Sequence, residues 1–218
     1  MKNLIKLSTF IIFTIVSCYA SAEEQSQDVG SSSIGKKGRV YAVFDIGQGT
    51  AADFCPTQSA GVTCNNVASI TLFGLGYHLS KNVAIEAGYL SSGDLTSSSC
   101  TTTICANGGG STDTKSSISG LRFSIEMSAP VNNTLSLIGK MGMFNSTVSS
   151  SNKSSNNSFS TSSSFDNSTV TFGLGAIINL NEKIALRALY EDLGSVKSSS
   201  AGTGSNLTMV SGGLVVNF

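Results

Sequence analysis

The sequence has 218 residues, enough for one domain with a sizeable core. Its 13 basic and 13 acidic residues cancel, which leaves no electrostatic basis for binding nucleic acid. Charged residues make up only 12% of the chain, about half of the usual share in a soluble domain. With 23 Gly, 2 Pro and no long apolar run after the first twenty residues, the composition favours a β-rich protein with one face away from water.

The N-terminus has the features of an export signal. Lys2 and Lys6 give it a basic start, Leu7 to Val16 forms an apolar stretch, and residues 20–22 (Ala-Ser-Ala) provide a small-residue cleavage site. The apolar stretch is too short to cross a bilayer as a helix. We therefore expect a cleaved signal peptide over residues 1–22.

A lipoprotein signal is the alternative at this end of the chain. Residues 15–18 (Ile-Val-Ser-Cys) loosely fit a lipid-attachment box, in which case Cys18 would be acylated and kept. The Ala-Ser-Ala site is the better match, so cleavage after Ala22 is favoured. Residues 23–38 then form a short periplasmic segment ahead of the folded domain.

Four cysteines remain after such cleavage: Cys55, Cys64, Cys100 and Cys105. An even number in an exported chain suggests disulfides, with three possible connectivities. The local pairing would join Cys55 to Cys64 and Cys100 to Cys105. We expect neither a metal nor a cofactor, because no Cys-x-x-Cys occurs and the single histidine, His78, lies elsewhere.

Beyond the signal, apolar and polar residues alternate with a period of two in eight runs, which is typical of β-strands. The predicted strands are Arg39–Gln48, Ala68–His78, Val83–Ser91, Ser117–Ala129, Thr134–Asn145, Ser168–Asn179, Lys183–Asp192 and Asn206–Phe218.

The links between these runs alternate in length. Short links cover residues 79–82, 130–133 and 180–182, and long links cover residues 49–67, 92–116, 146–167 and 193–205. Antiparallel neighbours place all short links at one end, as in bacterial outer-membrane barrels. The sequence therefore predicts an all-β fold over residues 39–218, an eight-stranded antiparallel up-and-down transmembrane β-barrel.

The two faces of the predicted strands differ sharply in charge. One face is lined with apolar residues, such as Leu121, Phe123 and Ile125, whereas the opposite face carries charged residues among Gly and Ser. In a soluble barrel these charges would point outward, but in a membrane barrel the apolar face meets lipid, where a Lys or Arg at mid-depth costs roughly 2–4 kcal/mol. We therefore predict an apolar exterior and a polar lumen.

Seven charged residues are candidates for an ion-pair network inside this lumen: Asp45, Glu86, Arg122, Glu126, Lys140, Arg187 and Glu191. Glu86, Glu126 and Arg187 lie four or five residues from the short links, and strands rise about 3.3 Å per residue, so these three should meet at similar depth. Four acids and three bases nearly neutralise each other, as buried charges must. Since about eight strands leave an interior that side chains can fill, we predict a plugged lumen.

Three stretches resemble the transmembrane domain of outer membrane protein A. Residues 120–144, GLRFSIEMSAPVNNTLSLIGKMGMF, are similar to its fourth and fifth strands, and residues 73–93, FGLGYHLSKNVAIEAGYLSSG, to its second and third. Residues 170–194, VTFGLGAIINLNEKIALRALYEDLG, are similar to the sixth and seventh. Together with the C-terminal strand, the resemblance covers most of the mature chain. It implies a member of the small outer-membrane barrel or opacity-type porin family, with eight strands and a hydrogen-bonded interior.

The resemblance also implies one internal ion pair. In that family a Glu on the third strand pairs with an Arg on the seventh, and Glu86 and Arg187 stand at those positions. The sequence departs from the family's prototype at Glu126, where the prototype is basic, and at Ile177, where it is acidic. The resemblance therefore does not extend to the rest of the internal pairing.

The last strand has a feature of its own. Leu214, Val216 and Phe218 share one face, which resembles the C-terminal signal read by the barrel assembly machinery. The expected partners are therefore this machinery during insertion, outer-membrane lipid and lipopolysaccharide, and an external ligand or host surface met through the loops. We expect a monomer.

These features predict a Gram-negative outer-membrane protein with a structural or surface-exposed role. A narrow gated pore for small solutes and a loop-mediated adhesin are alternatives; the Ser-rich residues 146–158 should be solvated and mobile. A lipid A-modifying enzyme is disfavoured and no catalytic residue is predicted, because a hydrolase needs a base beside its nucleophile. His78 lies beside a short link, and the nearby Ser80 is an ordinary turn residue.

Overall fold

The structure is a computed structural model that describes residues 38–52, 54–55, 62–99, 112–154, 160–197 and 204–218. The expected signal peptide, Cys18, nearly all of segment 23–38, Cys100 and Cys105 lie outside these residues. The described strands are β1 (Val40–Ala51), β2 (Val62–Asn65), β3 (Val67–His78), β4 (Val83–Ser92), β5 (Leu95–Ser99), β6 (Thr112–Pro130), β7 (Leu135–Ser154), β8 (Ser160–Asn179), β9 (Ile184–Val196) and β10 (Ser205–Asn217). No helix in this part of the chain is long and apolar enough to cross a membrane.

Eight of the described strands close into a ring. The hydrogen-bonded order is β6-β4-β3-β1-β10-β9-β8-β7, and β7 pairs with β6 to complete it. All of these pairs are antiparallel, and β1 pairs with β10 from Tyr41 opposite Asn217 to Ala51 opposite Leu207. The predicted eight-stranded antiparallel up-and-down barrel is confirmed.

The three short links are tight turns at one end of the barrel, which we call the turn end; the opposite end is the loop end. The side chain of Asn132 accepts hydrogen bonds from the backbone N–H groups of Thr134 and Leu135, both at 2.8 Å. Asn181 does the same for Lys183 and Ile184. Asn favours such turns because its side chain can bond to the backbone a few residues ahead.

The outer surface of the barrel is apolar, as predicted. Exposed side chains alternate with buried ones along each strand, and the exposed set includes Phe73, Phe123, Leu174 and Val210. Strand alternation sends the intervening residues to the lumen.

Three strands are much longer than predicted. The interpretation of residues 146–167 as a loop was wrong, because β7 continues to Ser154, β8 begins at Ser160, and their pairing runs to Lys153 opposite Ser160. β6 begins at Thr112, and β5 and β2 are added to its free edge. A ladder of backbone hydrogen bonds does not depend on which polar side chains it carries, so a Ser-rich composition did not prevent a strand.

These additions form an open sheet beyond the barrel wall. It consists of β2, β5 and residues 112–120 of β6, 145–154 of β7 and 160–168 of β8. On its far side, β8 pairs with β9 only from Phe172 onward. We call this part the loop-end sheet.

Candidate functional site: the filled lumen

All seven charged residues singled out by sequence lie in the lumen with buried side chains. No residue of the set is more than 5% exposed. Its members are Asp45, Glu86, Arg122, Glu126, Lys140, Arg187 and Glu191. We call this set the charged layer.

Glu86 is the centre of the charged layer, because all three bases bond to it. Lys140 Nζ donates to Glu86 Oε1 over 2.7 Å, and Arg187 Nη1 donates to Oε2 over 2.7 Å. Arg122 Nη2 also donates to Oε1. One carboxylate therefore offsets the desolvation of three cations at once.

Each arginine also holds a second acid. Arg122 donates to Glu191, and Arg187 donates to Asp45 through both Nη2 and Nε, the latter at 3.3 Å from Oδ1. The two arginines thus connect Asp45, Glu86 and Glu191 across the lumen. The planar guanidinium suits this role because it presents several donors in a fixed arrangement.

Glu126 is the exception in the charged layer. Its Oε2 lies 3.5 Å from both Lys140 Nζ and Arg187 Nη1, and this oxygen accepts no hydrogen bond from the residues described. With four acids and three bases, the layer carries one formal negative charge more than positive. Glu126 is the acid least held by the network.

Small residues beside the charges give the long side chains room. Gly213 lies directly between Asp45 and Arg187 in the strand register, so their ion pair passes over it. A Cβ on Gly213 would overlap Asp45 Oδ1 and the carbonyl oxygen of Phe44. Gly173 similarly separates Lys140 from Glu191. The close approach at Gly213 requires glycine because any side chain would occupy the same space, whereas a Cβ at Gly173 would be only tightly packed.

A second set of lumen side chains was missed by sequence analysis. Towards the loop end, the buried lumen-facing side chains include Ile70, Leu90, Ile118, Phe144, Val148, Leu193 and Met209, each at most 3% exposed. We call this set the apolar layer. Strand alternation could have located this set in the sequence. Leu90 and Phe144 lie four residues beyond Glu86 and Lys140 and therefore share their lumen face. Phe54, in the link after β1, packs against the buried core.

The turn end of the lumen is covered by aromatic rings. Tyr41 and His78 are buried, and their ring centroids are 4.8 Å apart. The Tyr41 ring lies across Gly76, where a Cβ would collide with it. Ser80 is a turn residue whose Oγ accepts a hydrogen bond from the N–H of Val83 at 3.1 Å.

The remaining candidate residues lie at the two ends of the barrel. A disulfide joins Cys55 to Cys64 at the loop end. Near the turn end, Leu214 and Phe218 point outward, Val216 is half-buried, and the N–H of Phe218 donates to Val40 at 3.0 Å. Their interpretation as an assembly signal stays a prediction. The described residues contain no group of three side chains placed to hold a metal ion.

A closed eight-stranded barrel with an apolar exterior and a polar lumen defines the class of outer-membrane β-barrel proteins. The family model for the OmpA-like transmembrane domain matches residues 35–218, and the chain belongs to this family. It is accordingly a protein of the outer membrane. No curated protein was found to match the sequence.

Solved structures of small outer-membrane barrels share the fold. Ail of Yersinia pestis, in complex with the heparin analogue sucrose octasulfate, is similar with a TM-score of 0.54 and 11% identity, covering 84% of this chain and 100% of Ail. Neisserial surface protein A has a TM-score of 0.51, 14% identity and coverages of 82% and 97%. OprG of Pseudomonas aeruginosa has a TM-score of 0.51, 11% identity and coverages of 85% and 98%. At these identities the similarity establishes the fold alone.

Proposed function

We propose that the protein is a non-conducting barrel, a rigid anchor in the outer membrane that supports the loop-end sheet at the cell surface. The observation that carries this proposal is the filling of the lumen by two successive layers, one charged and one apolar. A structural role fits better than a catalytic one, because the charged side chains bond to one another and are shielded from solvent.

We propose that the turn end faces the periplasm and the loop-end sheet faces outward. Outer-membrane barrels have short periplasmic turns and longer external loops, and the three tight turns here share one end. In this orientation the predicted signal peptide delivers the chain to the periplasm. The outward-facing Leu214 and Phe218 would then be available to the assembly machinery before the barrel closes.

The two layers resist ion flow for different reasons. An ion crossing the charged layer would have to separate hydrogen-bonded pairs, and breaking a buried pair costs about 3–5 kcal/mol. Beyond it, the large side chains of the apolar layer offer an ion no charged partner and only a few hydroxyl groups. Interiors packed in this way contain few voids larger than a water molecule.

Planar-bilayer recording tests this proposal. We expect the wild-type protein to give no single-channel steps above the bare bilayer. A variant that carries both Arg187→Ala and Phe144→Ala, which removes one large side chain from each layer, should give measurable steps and so shows that insertion is detected. Steps of similar size from the wild type would contradict the proposal and favour a narrow pore.

A further inference from the structure

The outward face of the loop-end sheet is lined with hydroxyl groups. The pairing of β6, β7 and β8 aligns outward-pointing residues into rows that cross the three strands. The rows are Ser119–Thr147–Asp166, Ser117–Ser149–Ser164 and Lys115–Ser151–Ser162. All of these side chains are exposed or half-buried.

This hydroxyl face continues the membrane-facing surface of the same strands. The last large apolar outward residues are Leu121 on β6, Met143 on β7 and Val170 on β8, each about half exposed. The rows begin within two residues of Leu121, and β6 continues for eight residues to Asp113. At a rise of about 3.4 Å per residue and a tilt of roughly 40°, the face reaches roughly 20 Å above the hydrocarbon. It therefore occupies the headgroup region of the outer leaflet.

The chemistry of this face matches sugar hydroxyls better than phosphate or sulfate. Each Ser or Thr hydroxyl offers one donor and two acceptor positions, as a sugar hydroxyl does. The charged residues of the sheet are two lysines, Lys115 and Lys153, and two acids, Asp113 and Asp166; a third acid, Asp94, lies just before β5. Because positive and negative charges on the sheet are nearly balanced, hydroxyl groups rather than a net charge are what this face offers to a ligand.

A groove in the sheet offers a place for such contacts. It measures about 430 Å³ and is lined by Lys115, Ser117, Asp94 and serines of β7 and β8. This volume lies in the range of sites that hold small molecules. Lys115 and Asp94 are 3.9 Å apart at its edge and largely exposed.

We infer that the outward face of the loop-end sheet binds the saccharide headgroups of the glycolipid in the outer leaflet around the barrel. This inference rests on the proposed orientation, in which the loop-end sheet stands on the outer side. The hydroxyl face continues directly from the lipid-facing surface around Leu121. A saccharide attached to a membrane lipid would therefore lie against this face while its lipid part lies beside Leu121.

The test measures glycolipid binding to detergent-folded full-length protein by native mass spectrometry. Lipopolysaccharide with a complete sugar core is compared with its sugar-truncated form. We expect the complete form to bind about tenfold more tightly, the change that two or three ordinary hydrogen bonds produce. Equal affinity of the two forms would overturn the inference.

Two matched triple variants locate the contact. Ser117→Ala, Ser149→Ala and Ser164→Ala together remove outward hydroxyls and should abolish the preference for the complete core. Ser116→Ala, Ser124→Ala and Ser146→Ala together remove hydroxyls that are buried on the lumen side of β6 and β7, and should leave it unchanged. A loss in the second triple, or none in the first, would overturn the inference.

Two further ligands test whether the bound partner must carry both sugars and a lipid anchor. The free core oligosaccharide and heparin should each bind at least about tenfold more weakly than the complete glycolipid, because neither has a lipid anchor that holds its sugars beside the sheet. Equal binding of either would overturn the assignment. A heat-modifiable band on a gel shows that each variant is folded, and the bilayer recordings test the sealed barrel separately, so the two proposals fail independently.

Discussion

The charged layer and the apolar layer fill the same barrel by opposite means. In the charged layer, a few long side chains reach over glycines and satisfy one another with hydrogen bonds. In the apolar layer, many side chains such as Leu90 and Phe144 fill space and need no specific partner. The charged layer lies behind an apolar outer wall, whereas the outward neighbours of Ile118 and Val148 in the apolar layer are Ser and Thr residues.

The two layers should be destabilised by different kinds of mutation. The energy of the charged layer depends on particular atoms, since an uncompensated buried charge is far more costly than a lost contact. The energy of the apolar layer depends on volume, and volume-conserving changes there are tolerated. Mutations that remove a charge and mutations that remove volume should therefore affect the two layers differently.

The largest effect should come from Glu86→Gln. This change leaves three buried bases without their shared carboxylate, and we expect it to lower the free energy of unfolding by about 3–5 kcal/mol. Urea titration of the protein in lipid vesicles, followed by the heat-modifiable band, measures this loss.

Glu126→Gln is the matched control for that experiment. It changes the formal charge of the layer by the same amount, but it breaks only two contacts of 3.5 Å. We expect a clearly smaller loss than for Glu86→Gln, because no hydrogen bond to Glu126 Oε2 is removed. If the two variants were equally destabilised, total charge rather than hydrogen bonding would control the layer.

Leu90→Ala probes the apolar layer. Leu90 is fully buried, so its truncation leaves a cavity and should cost about 2–4 kcal/mol. Leu174→Ala is the control, because Leu174 is 71% exposed on the lipid face, where lipid chains fill the space. Equal losses by the same titration would show that the lumen is not close-packed at Leu90.

Cys55→Ser tests how the loop end is held. The disulfide closes a segment with a sequence separation of 9, for which the chain-entropy estimate is about 2–3 kcal/mol. We expect the variant, or the reduced wild type, to be cleaved faster by protease between β1 and β2 while the barrel core stays intact. Unchanged cleavage would mean that the pairing of β2 with β5 holds this link without the disulfide.

The smallest effect should come from a single methyl group. Gly213→Ala places a Cβ against Asp45 and the backbone of Phe44, and we expect a loss of about 1–3 kcal/mol. Gly212→Ala is its neighbour on the outer face, where the nearest atom is the Arg187 carbonyl oxygen at 3.8 Å. That change should be nearly neutral in the same unfolding assay.

The fold was predictable because lipid imposes its pattern on every strand. Alternation at positions such as Phe123 and Ile125 revealed which face meets the membrane, and the short links revealed the order of the strands. The ends of β7 and β8 were not predictable from composition. Above the membrane, neither face of these strands needs to be apolar, so the signal that marks a strand disappears while the backbone pairing continues.

The site was predictable in position but not in its bonds. Each charge interrupts an otherwise small or apolar lumen face, which located Asp45, Glu86 and Arg187. The sequence suggested that Glu126 meets Arg187 and Glu86 at one depth, yet Arg187 donates to Glu86 and Asp45 and only approaches Glu126. Which acid faces which base depends on the register between strands far apart in sequence, and a single sequence does not contain that register.

The ion pair between Asp45 and Arg187 has a consequence for how the chain becomes a barrel. These residues lie on β1 and β9, and they meet only when β10 is seated between those strands. Until then, Asp45 lacks its partner in the membrane, and the free edges of β1 and β10 lack theirs. An incomplete sheet is therefore penalised twice in lipid, which favours closure of the ring as the chain enters the bilayer.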